Sequence, residues 1–145
     1  MRKKNKKSYK KQLNNMLPVW NLADLYTSTK SKKIQQDLNF IEKSSKSFAT
    51  KYEKKVTKLT SNQLFKAIKE LEKIDEIMDK ILSYAHLLVS QNINDEKNKI
   101  FFQQMQESIT KFSSTLIFFT LELNQISTKK IKLFFNDKKL INYKT

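Results

Sequence analysis

His86 is the only histidine of the chain, and a metal-binding or catalytic role for it would need partners. The sequence offers no Cys, no second His and no acid four residues to either side of it. The zinc-peptidase motif HExxH needs two His on one helix face, so this chain cannot form it. The absence of Cys also excludes thiol nucleophiles, and the absence of Gly excludes phosphate-cradling loops. We therefore interpret His86 as a partly buried or surface residue of a helix.

Five carboxylates lie close together in the middle of the chain: Glu70, Glu72, Asp75, Glu76 and Asp79. Buried pairs of carboxylates can perform acid–base catalysis. Here lysines alternate with the acids, and the pairs Lys66–Glu70 and Glu76–Lys80 have the i,i+4 spacing of ion pairs on a helix surface. The spacing predicts an exposed, salt-bridged helix face and no acid–base site.

Aromatic residues combined with positive charge are typical of single-strand nucleic-acid binders. The chain has a net charge of +15, and residues 1–11 hold seven basic residues. Only one basic residue of the chain is Arg, the residue that planar recognition of bases and phosphates favours. The aromatic candidates mostly recur with the period of a helix core, which favours core packing over base stacking: Phe101, Phe102, Phe112, Phe118, Phe119, Phe134 and Phe135.

The elements that must position these residues are helices, because apolar residues recur at steps of three or four from residue 31 onward. Ser31 is expected to cap a first helix over about 32–56. Thr60 and Gln63 form a capping-box pattern that begins a second helix. The apolar stripe predicts that this second helix continues to about residue 91.

The second and third helices share a short connection. Asn92 and Asn94 are expected in the left-handed conformation that Gly usually supplies at a helix end, and Asn94 or Asp95 is expected to begin the third helix. Tyr84 lies off the centre of the second helix's apolar stripe. A near-seven-residue repeat on the third helix predicts long packing along another helix: Phe101, Met105, Ile109, Phe112, Leu116, Phe119, Leu123 and Ile126.

The two ends of the chain differ from this helical centre. Ser127 and Thr128 can cap a fourth, shorter helix that carries Ile131, Phe134, Phe135 and Leu140. Residues 1–15 offer little to bury and are expected to form a disordered basic tail. Residues 16–33 are interpreted as an arm that packs Trp20 and Tyr26 onto a neighbouring surface, with a short helix around residues 22–26.

The predicted fold class is therefore all-α: a long antiparallel helical hairpin or bundle of three to four helices. The basic tail of residues 1–15 precedes a helical domain of residues 16–145. We find neither a signal peptide nor an apolar run long enough to cross a membrane, so we expect a cytoplasmic protein without a transmembrane segment.

The stretch from Leu17 to Tyr26, LPVWNLADLY, resembles the opening of the oligoendopeptidase F family of zinc metallopeptidases. Members of that family begin with a Trp-Asp/Asn-Leu-x-Asp-Leu-Tyr element. Further landmarks are similar to the family's and follow in the same order: Phe48 and Tyr52 on the first helix, Ser83-Tyr84-Ala85 with Leu88 on the second, and Leu116, Phe119 and Glu122-Leu123 on the third. The resemblance covers residues 17–143.

The resemblance implies a helical wall of a peptidase cleft without the catalytic part. Family members are much longer, and their HExxH helix, with its zinc ligands and catalytic Glu, lies beyond the region that this chain resembles. We therefore assign no catalytic, cofactor-binding or metal-binding residue to this chain, although the intact family binds zinc and hydrolyses oligopeptides. The expectation is a truncated or split peptidase that is inactive alone and pairs with a separately encoded catalytic fragment.

A wall without its second half should expose an apolar face, which predicts marginal stability or self-association. The doubled aromatics Phe101-Phe102, Phe118-Phe119 and Phe134-Phe135 would allow a helix to be apolar on two sides. Two other functions stay open at this point. One is a stand-alone helical module that holds a partner helix on one face. The other is a basic protein that binds a nucleic-acid or membrane surface through charge, without specific nucleic-acid recognition.

Overall fold

The computed structural model describes residues 21–143, and within that range every regular element is a helix. There are four α-helices: α1 (Lys32–Tyr52), α2 (Ser61–Gln91), α3 (Glu96–Leu123) and α4 (Thr128–Phe134). Two short 3₁₀ turns, Val56–Lys58 and Ile141–Tyr143, follow α1 and α4. The all-α prediction is confirmed for this range. The predictions for the tail of residues 1–15 and for Trp20 lie outside the described residues.

All four helices begin at the caps that the sequence predicts. Ser31 accepts a hydrogen bond from the backbone of α1, and Ser127 does the same for α4. Thr60 and Gln63 form both halves of the capping box at the start of α2. Asp95, one of the two predicted starts of the third helix, accepts two backbone bonds at the start of α3. These caps satisfy backbone donors that have no partner within a helix.

The first helix is shorter than the predicted range of 32–56, because α1 ends at Tyr52. The Lys55 N–H donates to the Tyr52 carbonyl at 2.9 Å, which closes a tight turn. Lys54 occupies the third position of this turn with φ 63°, the left-handed region that usually needs Gly or Asn. Because the chain contains no Gly, a lysine adopts this conformation.

The carboxylate of Glu122, at the end of α3, stabilises this turn. Its two oxygens accept from the backbone N–H of Lys54 at 2.6 Å and of Val56 at 3.0 Å. Hydrogen bonds to a charged acceptor are stronger than those between neutral groups. These bonds offset the conformational free-energy cost of placing Lys54 in the left-handed region. They also connect the end of α1 to the end of α3.

The prediction for Asn92 and Asn94 is wrong. Asn92 is extended, with φ −148°, and among residues 21–143 only Lys54 has a positive φ outside Gly. The connection turns by another means: the Asn92 side chain accepts from the Asn94 N–H at 3.2 Å, and the Asp95 N–H donates to the Asn92 carbonyl at 3.1 Å. This local side-chain turn makes a left-handed residue unnecessary.

The helices α2 and α3 form the predicted antiparallel hairpin, and α1 packs against both. Phe48 of α1 is the centre of that packing: its ring lies 5.2 Å from the ring of Phe119 and 6.0 Å from that of Phe118. Tyr84, expected off the centre of the stripe, is in fact 2% exposed, because the rings of Tyr26 and Phe101 pack against it. In the segment that precedes α1, the predicted short helix around residues 22–26 is absent, and these residues form a turn.

Tyr26 anchors that segment, as predicted for the arm. Its ring packs edge-on against Tyr84 at 5.2 Å, and its hydroxyl donates to Asp37 at 2.8 Å. Burial, together with the bond to Asp37, raises the pKa of the Tyr26 hydroxyl well above its ordinary value. The carboxylate also accepts from Lys33 at 2.6 Å, so the buried charge of Asp37 has two partners.

Candidate functional site

His86 lies on the exposed side of α2, where its ring meets Phe102 edge-on at 5.9 Å. The surface position is one of the two positions, partly buried or surface, that the sequence left open. No three His, Asp or Glu side chains within residues 21–143 lie close enough together to hold a metal ion. No helix in that range is both long and apolar enough to cross a bilayer.

The carboxylates of α2 are largely exposed, as predicted, but they pair differently. Glu70 binds Lys51 and Tyr52 of α1, and Glu72 binds Lys69. Neither of the two predicted pairs, Lys66–Glu70 and Glu76–Lys80, forms, because Glu70 faces α1 and Lys80 lies over the Tyr26 ring at 4.7 Å. Tertiary contacts thus override the i,i+4 spacing.

The seven phenylalanines belong to the core or pack against it, which confirms the prediction. Phe101, Phe119 and Phe134 are buried, and the other four are partly buried. The partly buried ring of each doubled pair also packs against the core. Phe118, for example, contacts both Phe48 and Phe119. The exposed apolar residues are aliphatic instead: Ile93, Ile100, Ile117, Leu121, Leu133 and Ile141.

An opening between the two helices of the hairpin lies on the side that α1 does not cover, and we call it the outer groove. It encloses about 540 Å³ between α2 and α3. None of its lining residues comes from α1. The lining residues are Leu71, Asp75, Met78 and Leu82 of α2, and Gln106, Ile109, Thr110, Ser113, Ser114, Leu116, Ile117 and Thr120 of α3.

The floor of the outer groove is apolar and its α3 wall is mostly small and polar. Met78, Ile109 and Leu116 are buried at the floor, at 5, 5 and 6% exposure. The Ser113 hydroxyl reaches across the hairpin to the Met78 sulfur at 3.8 Å. Ile117 stands on the α3 wall and is 60% exposed. An exposed apolar side chain beside an apolar floor is typical of a contact surface.

The charge of the outer groove is opposite to that of the chain. Among residues 21–143, Asp75 is the only charged residue that lines it, although the chain has 29 Lys and Arg residues. Asp79 follows one turn later on α2. Within the described residues, neither Asp75 nor Asp79 has a hydrogen-bonding or ion-pairing partner. Partial burial raises the pKa of the Asp75 carboxyl, and the charges of Asp79 and Glu72 raise it further.

A second cavity of about 520 Å³ continues the outer groove toward the C-terminal elements. The two cavities share Leu71 and Thr120. Here α4 and the last 3₁₀ turn cover the hairpin, with Phe134 and Leu140 buried against it. The hydroxyl of Tyr143 donates to Glu72 at 2.7 Å and fixes the end of this cover. The covered part of the hairpin therefore stops near Leu71, where the outer groove begins.

The sequence held a signal for the outer groove that periodicity alone did not reveal. Leu71, Met78 and Leu82 lie on one side of α2, and on α3 the hydroxyl residues Thr110, Ser113 and Ser114 adjoin the apolar repeat. Asp75 falls among the three apolar residues of α2, at i+4 from the first. A carboxylate beside an apolar stripe is seldom fully buried unless it is paired, so an Asp75 without a partner favours an open face.

The site has the chemistry of binding: an apolar floor, hydroxyl groups, and the Asp75 carboxylate, which has no partner within residues 21–143, with Asp79 one helical turn beyond the lining. It offers no nucleophile with an adjacent base. Comparison of the chain with family models, with curated proteins and with solved structures finds no match.

Proposed function

We propose that this chain is a non-catalytic helical wall of an oligoendopeptidase F-like zinc peptidase and acts by combining with a catalytic fragment. The proposal begins from the resemblance of residues 17–26 and of the later landmarks. What supports it is where the landmark residues lie: Tyr26, Phe48, Tyr52, Tyr84, Ala85, Leu116 and Phe119 are all buried.

The landmarks also contact one another across the fold. Tyr26 packs on Tyr84, and Phe48 packs on both Tyr52 and Phe119. Glu122, another landmark, holds the turn that follows α1. These landmark residues set the packing of three helices, which is a structural role. We assign no catalytic role to any of them. The proposed role is therefore to shape a cleft, with short peptides as the substrate of the assembled peptidase.

The first test is genomic. The DNA that follows codon 145 is translated in all three frames and searched for HExxH. We expect a frame close downstream that carries this motif together with the further Glu ligand. Downstream DNA without such a frame would contradict the two-part peptidase.

The second test is biochemical. The full chain and the encoded catalytic fragment are produced separately and mixed with zinc and a quenched fluorescent peptide. We expect cleavage by the mixture, none by the chain alone, and loss of cleavage with a chelator. The control is a catalytic fragment whose HExxH Glu is replaced by Gln. If mixing produces neither a complex nor cleavage, the proposal is wrong.

A stand-alone helical binding module is the second candidate, and the outer groove is the observation that favours it. Its apolar floor and uncovered Ile117 suit a partner helix whether or not that partner is a peptidase. The two candidates differ in the mixing experiment, because only the first predicts chelator-sensitive cleavage.

A further inference from the structure

We propose that the outer groove docks an amphipathic helix of another polypeptide, with Lys or Arg along the flank that faces Asp75 and Asp79. The inference goes beyond the peptidase proposal and holds for either candidate function. It rests on three properties of the groove: its length, its walls and its charge.

The length suits a short helix. From Leu71 to Leu82 the α2 side of the groove spans twelve residues, or about 16 Å at a rise of 1.5 Å per residue. That is about three turns, which present apolar anchors at positions i, i+3, i+4 and i+7 of a docked helix. Met78, Ile109 and Leu116 provide the buried floor that such anchors would contact.

The α3 wall permits close approach. Thr110, Ser113 and Ser114 are exposed and small, so a helix backbone can lie near them without displacing large side chains. Ile117 and Leu121, at 60 and 55% exposure, extend the same wall with apolar surface. Small residues beside exposed aliphatic ones let a second helix pack into the space between α2 and α3.

The charge of the groove selects the partner. Asp75 and Asp79 lie one helical turn apart, the spacing at which Lys or Arg residues four apart on a docked helix can face them. A cation there would supply the partner that neither carboxylate has within residues 21–143. If two copies of the chain met groove to groove, Asp75 and Asp79 of one copy would lie close to Asp75 and Asp79 of the other. Like charges repel, so the groove favours a cationic partner over a symmetric dimer.

The test uses the full chain and two synthetic labelled peptides of 18 residues. Both have Leu at i, i+3, i+4 and i+7 positions; one has Lys along a flank and the other has Glu at the same places. Fluorescence anisotropy at about 0.15 M salt, which screens the distant lysines of this chain of net charge +15, should show the Lys peptide binding about ten-fold more tightly than the Glu peptide. The difference should shrink at about 1 M salt, where charges in contact are screened as well.

Variants then locate the site. Asp75→Asn with Asp79→Asn should weaken binding of the Lys peptide about ten-fold. The matched control, Glu42→Gln with Glu53→Gln, changes the net charge equally on the α1 side and should have little effect. Ile117→Ser should weaken both peptides, whereas Ile93→Ser, at a position 68% exposed in the α2–α3 connection, should not. Circular dichroism of each variant checks that the helices remain folded.

Three results would overturn the proposal: equal binding of the two peptides, equal losses in the groove and control pairs, or self-association that Ile117→Ser abolishes. The last result would identify a second copy of the chain as the occupant. Because the probe is a free peptide, failure here leaves the peptidase mixing experiment unaffected, so the two proposals can fail separately.

Discussion

The two sides of the α2–α3 hairpin are built from the same two helices and differ in what covers them. On the inner side α1 seals the hairpin with Phe48, which is 2% exposed and contacts the rings of Tyr52, Phe118 and Phe119. Glu70 finds Lys51 and Tyr52 there. On the outer side Ile117 is 60% exposed, and Asp75 has no partner within the described residues.

The difference shows that one face of the hairpin is covered by α1, whereas the opposite face leaves part of its apolar surface open. Aromatic rings complete the inner side, because they fill the space between three helices with few residues. The outer side carries small hydroxyl residues and carboxylates, which stay hydrated when no partner is bound. Substitutions on the inner side should therefore change stability, and those on the outer side should mainly change binding.

The largest expected effect is that of Phe48→Ala on the inner side. Deleting a buried Phe side chain costs about 3–5 kcal/mol through lost burial and the cavity that remains. The matched change on the outer side, Ile117→Ala, should cost less than about 0.5 kcal/mol because the side chain is already exposed. Urea unfolding followed by circular dichroism measures both. Similar costs for the two variants would show that the two sides are equally packed.

The next effect concerns the link between the end of α1 and the end of α3. Glu122→Ala removes the acceptor of the Lys54 and Val56 N–H groups, and we expect a loss of about 1.5–3 kcal/mol. Lys54→Gly is the complementary change. It should add about 1 kcal/mol, because Gly adopts the left-handed conformation without the side-chain penalty. If Glu122→Ala left the unfolding midpoint unchanged, the carboxylate would not be what holds this turn.

A smaller effect concerns a buried hydroxyl on the inner side that lacks a hydrogen-bond partner. Ser45 of α1 is 1% exposed, and its hydroxyl has no hydrogen-bond partner. Ser45→Ala should therefore stabilise the chain by about 0.5–1 kcal/mol, since an unsatisfied buried polar group is removed at little cost in packing. Ser47→Ala, two residues further along α1 and exposed, is the control and should be close to neutral. A destabilised Ser45→Ala variant would mean that the hydroxyl is satisfied in solution.

The smallest effect sharpens the comparison through pH. Folding raises the pKa of Asp75, so the folded chain loses stability as pH rises through that pKa and the carboxyl ionises. Asp75→Asn should consequently stabilise the chain at pH 7 by no more than about 0.5 kcal/mol, because solvent screens the exposed carboxylate. At about pH 3, below the ordinary aspartate pKa, variant and wild type should match. Unfolding curves at the two pH values test this.

A more stable Asp75→Asn variant that also binds the Lys peptide less well would connect the two kinds of measurement. It would mean that the groove keeps a carboxylate at a small cost in stability, as functional sites commonly do. If Asp75→Asn stabilised the chain at both pH values, the cause would be a higher helix propensity and not the loss of a charge.

Much of the fold could be predicted because its signals are local. Ser31, Thr60, Asp95 and Ser127 cap helices through bonds to backbone groups within three residues. The stripe from Phe101 to Ile126 follows from helix period alone. The failures are equally specific. The end of α1 depends on Glu122, 68 residues from Lys54 in sequence, and the burial of Tyr84 depends on Tyr26 and Phe101.

The candidate site was less predictable than the fold. The sequence could exclude thiol chemistry and an HExxH zinc site, because Cys and a second His are absent. It could not place the ion pairs of Glu70 and Lys80, since their partners come from α1 and from the segment before it. Nor could it separate the covered side of the hairpin from the open one, because both sides carry apolar residues with the same helical period.

The sequence by itself determined that residues 21–143 are helical, where their helices begin, and that thiol chemistry and an HExxH site are absent, because residue types and near-neighbour hydrogen bonds decide those properties. The tertiary structure alone decided which side of the hairpin α1 covers, which lysine adopts the left-handed turn, and which of the described carboxylates lack partners. Those properties depend on contacts between residues far apart in the chain. Helix period is the same on a covered and an uncovered face, so only the packing of whole helices distinguishes them.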